Sequence, residues 1–210
     1  IQSFNFVYAN RHGDIHFIHN AQLPVRAAGW NWQQYLPGDR SELIWRDYHP
    51  TSVLPQVTNP QSGFVHSANQ TPFNISEARD NPLPAHAPEN GGWQTRMTNR
   101  ATRGLELFEE FDQISFDEAW QLKHDNRYSI NYRGMAFLKE VTALPPSSEA
   151  VASAIDILSS WDRGTDKANR GAALGVCVLA AEWQAESGGT STPDANEILN
   201  ECIEQTLPMG

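Results

Sequence analysis

The sequence predicts an α+β fold, with a β- and loop-rich segment over residues 1–94 followed by an all-helical region over residues 95–210. Two observations carry this. Apolar residues up to about Asn69 come in short alternating runs among aromatic, Pro, Gly and Asn residues, whereas from Thr95 onward they recur at helical spacing. With 210 residues and 40% hydrophobic content the chain is large enough for one sizeable core or two small ones.

Taken in order, Phe4, Phe6 and Tyr8 alternate with polar residues, Asn10 to Asp14 supplies turn chemistry, and Ile15, Phe17 and Ile18 resume an extended run. Together they predict a hairpin. A proline-punctuated irregular stretch runs from Leu23 to Pro60. Val57 and Phe64-Val65 then flank the turn Asn59 to Gly63, predicting a second hairpin that ends on Ala68-Asn69. Residues 70–94 hold four prolines and a Gly-Gly pair, which predicts a surface excursion or lid-like loop.

In the helical region, Leu105, Leu107, Phe108 and Phe111 fit one helix, and Ser115 with Glu118 forms a capping box for the next, expected from about Phe116 to Val141. Pro145-Pro146 breaks it, and Ser147 or Ser148 restarts a helix bearing Ile155, Ile157, Leu158 and Trp161. A helix over about Lys167 to Ala185 is apolar nearly all round and so predicts burial. The last begins with Thr192 as cap and Pro193 at the first helical position.

The net charge of −10 disfavours nucleic acid or an anionic membrane surface as partner. The longest apolar run, Ala172 to Ala181, is far below the roughly 20 residues of a membrane span. Cys177 and Cys202 have no metal or redox spacing and are either buried thiols or one bridge. His16 and His19, an odd number apart on a strand, face opposite ways, and neither they nor His12 is expected to bind metal. The chain has no nucleophile elbow and no phosphate loop, and Glu109, Glu110 and Asp112 read as a solvated helix face.

Asn69 stands apart, because a side-chain amide where a strand ends can donate a fixed hydrogen bond into a cleft. The same position also suits an Asn that merely forms a turn.

The ordered series Asn5-Phe6-Val7, Gly13-Asp14-Ile15, Leu23-Pro24-Val25-Arg26, Leu36-Pro37-Gly38-Asp39, Trp45, Leu54-Pro55-Gln56-Val57, Asn59-Pro60-x-x-Gly63 and Ala68-Asn69 resembles the penicillin acylase family. Asn99 to Arg103, Leu122 to Asp125, Trp161-Asp162 and Asn169 to Ala172 resemble the stretch that follows in it, with a flavour of the acylases acting on acyl-homoserine lactones and lipopeptides.

The resemblance implies a fragment of the large subunit of an N-terminal-nucleophile amide hydrolase, part of an αββα sandwich, in a periplasmic or secreted bacterial enzyme. It implies an N-terminal serine nucleophile upstream of Ile1, so that the chain alone is expected to be inactive. By the same resemblance Asn69 is the oxyanion donor and Arg100 supports the active site; the alternative for Arg100 is a helix-surface cation pairing with Glu106 or a neighbour. Asp80 falls near a family calcium ligand, but no metal and no cofactor is expected. The implied partners are an N-acyl amide substrate and the remaining acylase segments and small subunit, with homo-oligomerisation covering exposed apolar faces if the piece occurs alone. The rival is a non-catalytic binding module on the same scaffold.

Overall fold

A computed structural model describes residues 3–206, which divide after Glu110 into two compact units. Ile1, upstream of which the nucleophile is expected, lies outside the described residues.

In the first unit, strands β1 (Ser3–Ala9), β2 (Ile15–Ala21) and β3 (Gln56–Thr58) form an antiparallel sheet in the order β1-β2-β3. The first hairpin is as its alternation predicts, with Val7 opposite Phe17 and Tyr8 opposite His16. Asn10 shapes its turn, since its Oδ1 accepts from the backbone N–H groups of His12 and Asp14. Phe17 is the fully buried residue of β2, while Phe4, Phe6, Val7 and Tyr8 on β1 are all exposed.

The second hairpin does not form. Val57 pairs with Phe17 of β2 instead, and residues 64–69 are not a strand. The reason lies in Asn59, whose φ of 49° bends the chain away after β3. Its side chain then staples that bend to the first hairpin, accepting from the Ile15 N–H at 2.8 Å and donating to Asp14 at 3.0 Å.

Residues 70–94 contain two short 3-10 turns, Ala78–Asp80 and Pro84–His86. The stretch is less superficial than its prolines suggest, because Gln70, Thr71, Pro72, Ile75 and Ser76 are buried. Side chains stand in for missing ladder partners there. Asn81 Oδ1 accepts from the backbone of both Ile75 and Ser76, and the Ser76 hydroxyl donates to the Phe64 carbonyl. Helix α1 (Asn99–Glu109), capped by Thr98, completes the unit and buries Ala101 and Leu107.

The second unit is helical: α2 (Phe116–Lys123), α3 (Gly134–Thr142), α4 (Glu149–Ser160), α5 (Ala172–Gly188) and α6 (Ala195–Thr206). The Ser115–Glu118 capping box is present, and Ser148 is the residue that restarts the chain into α4. The single helix expected from Phe116 to Val141 is two, separated by residues 124–133. Tertiary bonds explain the break: Tyr128 N–H donates to the Arg163 carbonyl and Thr165 N–H to the Asn126 carbonyl, which holds this segment extended against the loop after α4. The cap of α6 is Asp194, which accepts from the Glu197 N–H at 2.8 Å; Thr192 lies too early.

Phe137, Val141, Val151, Leu158, Leu174, Val178, Leu199 and Ile203 from α3 to α6 form one apolar cluster. Cys177 and Cys202 are joined as a disulfide between α5 and α6. The motif residues Trp161 and Asp162 are structural. The Trp161 ring lies where a Cβ on Gly171 or Gly175 would intrude, and Asp162 accepts from Gly164 N–H and Asn169 while pairing with Arg127 at 3.0 Å.

Candidate active site

The two singled-out residues of the first unit meet. Asn69 is exposed, with a φ of 61°, a left-handed conformation that Asn tolerates better than most residues. Arg100 donates from Nη2 to Asn69 Oδ1 at 3.2 Å. With its oxygen engaged as acceptor, the Asn69 amide presents its nitrogen as the donor end.

Arg100 lies in the first turn of α1, where no acidic residue offsets the positive end of the helix dipole. A cation there costs the helix a few tenths of a kcal/mol up to about 1 kcal/mol, so helix stability does not account for it. Glu106 pairs instead with Arg103, at 3.4 Å and half-buried.

Helix α1 reaches this segment because residue 104 is glycine: a Cβ there would strike the imidazole of His66. Phe108, one turn further, stacks on Phe64 with ring centroids 4.6 Å apart and meets His66 edge-on at 5.9 Å. Burial, helped by the nearby Arg100 charge, holds the His66 imidazole below its ordinary pKa and so favours the neutral ring.

Beside Asn69, Gln70 is 2% exposed and enclosed by the loop it belongs to. Its Oε1 accepts from Ala68 N–H at 2.5 Å, and its Nε2 lies 3.0 Å from His66 Nδ1, 3.1 Å from the His66 carbonyl and 3.2 Å from the Asn74 carbonyl. The Gln70 carbonyl accepts from Asn5 Nδ2 on β1, and Asn5 Oδ1 in turn bonds His19 Nδ1.

Sequence reasoning passed over His66, Gln70 and Gly104. A glycine inside a helix pattern costs about 1 kcal/mol and signals a close approach, which marks Gly104. Gln70 has no comparable local mark, because its partners are set by the loop's tertiary path.

Of the other candidates, His19 reaches this group through Asn5, while His16 and Asp80 have other partners. His16 bonds Thr58 and His19 bonds Asn5. Asp80 accepts from the Ser62 N–H at 2.8 Å, a bond that keeps its carboxyl below the usual range. No group of three or more His, Cys, Asp or Glu side chains placed to hold a metal occurs among the described residues.

Residues 1–205 match the penicillin amidase family model, and the chain belongs to that family.

Among its relatives is the penicillin G acylase of Escherichia coli, 26% identical over 162 residues, covering 76% of this chain and 18% of that protein. Among solved structures, a thermostable penicillin G acylase from Alcaligenes faecalis matches with a TM-score of 0.59 at 21% identity, over 88% of this chain and 32% of the other. The second likeness shows that the chain shares its fold, α+β in class, with a part of that acylase. The chain spans only about a fifth to a third of the length of these relatives.

Proposed function

We propose that this chain is the oxyanion-side segment of an N-acyl amide hydrolase, with Asn69 as oxyanion donor and Arg100 as the residue that sets it. The observation that carries the reading is the Arg100 bond to Asn69 Oδ1 at 3.2 Å. That bond orients the amide and polarises it, so that Nδ2–H is the better donor. In the reaction, a serine hydroxyl from the remainder of the protein attacks the amide carbon, and its proton passes by way of the serine's own amine to the leaving nitrogen. The carbonyl oxygen takes up the negative charge opposite Asn69, and water then releases the carboxylic acid from the acyl-serine. Asn69 and Arg100 neither give nor take a proton.

The proposed partners are the remaining segments of the acylase and an N-acylated small molecule. The exposed apolar residues on both faces of β1, one of the two edge strands of the sheet among the described residues, support further strands from that remainder as its cover. The Cys177–Cys202 bridge supports a periplasmic or secreted location, since disulfides persist in oxidising compartments.

The test uses the complete protein containing this chain and a panel of N-acyl amides, acyl-homoserine lactones included. The reading expects turnover of at least one and a loss of about 10²–10³ in kcat for Asn69→Ala, with KM little changed. Hydrolysis undiminished by Asn69→Ala overturns it.

A further inference from the structure

We infer that Gln70 is a positioning residue, a buried amide clamp that fixes the backbone of Asn69 so that its side chain meets Arg100. The inference rests on the reading of Asn69 as oxyanion donor.

The geometry points to Gln70 because two different constraints act on Asn69. Arg100 holds the side chain through a single bond at Oδ1. That bond fixes a direction only if the Cα from which the side chain springs is itself fixed. Asn69 Cα lies between Ala68, whose N–H is held by Gln70 Oε1, and Gln70, whose carbonyl is held by Asn5. The same Gln70 amide spans the loop through Nε2, which faces acceptors at both ends, His66 on one side and Asn74 on the other. The mouth of that loop is closed by the His66 N–H bond to the Ile75 carbonyl at 2.8 Å. With both neighbours pinned, the residue between them is left in the left-handed conformation it shows, at φ 61°.

The chemistry of the clamp is specific to a primary amide. One oxygen must accept and one nitrogen must donate, at the same end of one side chain, to groups that include a ring nitrogen and two carbonyls. A carboxylate would turn a second oxygen toward the carbonyl oxygens of His66 and Asn74, both acceptors, and a thioether would satisfy neither. An unpaired polar group in so enclosed a site forces the loop to rearrange until water reaches it. Because Asn69 is the exposed residue of the loop, that rearrangement displaces it first. A misplacement of about 1 Å in a group of this kind costs on the order of a hundredfold in rate.

The experiment compares Gln70→Met, which keeps the volume, and Gln70→Glu, which keeps the acceptor for Ala68, with Asn69→Ala in the complete protein. Competent sites are counted with a serine-directed sulfonyl fluoride, kcat and KM are measured per titrated site, and crystal structures of the Gln70 variants are solved. The expected result is a fall in kcat per titrated site of about ten- to a hundredfold with KM within about twofold. In the structures, Asn69 loses its positive φ or its bond to Arg100. A variant that lowers only the number of titratable sites, with normal kcat at each, makes Gln70 merely structural and overturns the inference. So does either variant in which Asn69 keeps both its φ and its Arg100 bond, which decides the matter if the other fails to accumulate. If Asn69→Ala is fully active the oxyanion reading fails by itself, and displacement or retention of Asn69 in the crystal structures still decides the clamp.

Discussion

The two units are built from opposite materials. In the second, α3 to α6 meet through aliphatic and aromatic side chains, and a disulfide crosses from α5 to α6. In the first, much of the chain between the sheet and α1 is irregular, and amide side chains perform the work that a ladder would otherwise do. Asn10, Asn59, Gln70 and Asn81 each bond backbone groups, and Asn59, Asn69 and Asn90 all have positive φ. An apolar cluster tolerates small shifts because it is non-directional. An amide network fixes direction, which a hydrogen-bond donor aimed at a developing charge requires.

Removing the heart of the apolar cluster should give the largest change in stability. Phe137→Ala is expected to cost about 3–5 kcal/mol, read by chemical denaturation, with loss of exchange protection centred on α3 to α6. A cost below about 1 kcal/mol would mean that the cluster is not what holds the second unit.

Opening the disulfide comes next. Its sequence separation of 25 corresponds to a loop-closure contribution of about 3.5 kcal/mol. Replacing both cysteines by serine should lower the unfolding free energy by that order, with protection lost in α5 and α6 while the bonds around Gln70 stay protected.

Acid should act on the other unit and more gently. His66, chiefly through burial and secondarily through Arg100, and His19, through burial, have folded pKa values below the ordinary 6.5. The unfolded chain therefore binds their protons first. Stability is independent of these groups well above pH 6.5, and it declines as pH falls from there toward the depressed folded values. Protection around residues 66–75 measured against pH should decline over that window. A first unit that gains protection on acidification would contradict the placement of both rings.

Much of this contrast was legible in the sequence, for a physical reason. The hairpin around Asn10 and the Ser115–Glu118 box are governed by residues within a few positions, and local rules found them; the same rules narrowed the α4 cap to Ser147 or Ser148, of which the structure uses Ser148. The break between α2 and α3 depends on bonds from Tyr128 and Asn126 to residues near Arg163, some 35 positions on. Periodicity cannot register these. In the site, motif order carried Asn69 and Arg100, whose contact lies inside one unit. The supports of that contact, Gln70 and His66, were missed because a buried amide looks like any polar loop residue until its enclosure is seen.

The most direct test of the central claim is a double-mutant cycle on Asn69 and Arg100, with kcat measured in the complete protein. If Arg100 acts through the Asn69 amide, Arg100→Ala lowers kcat on its own but adds little to Asn69→Ala, so the double variant resembles the Asn69 single variant. If the two losses simply add, Arg100 does not act through Asn69 and the pair is not the unit proposed here.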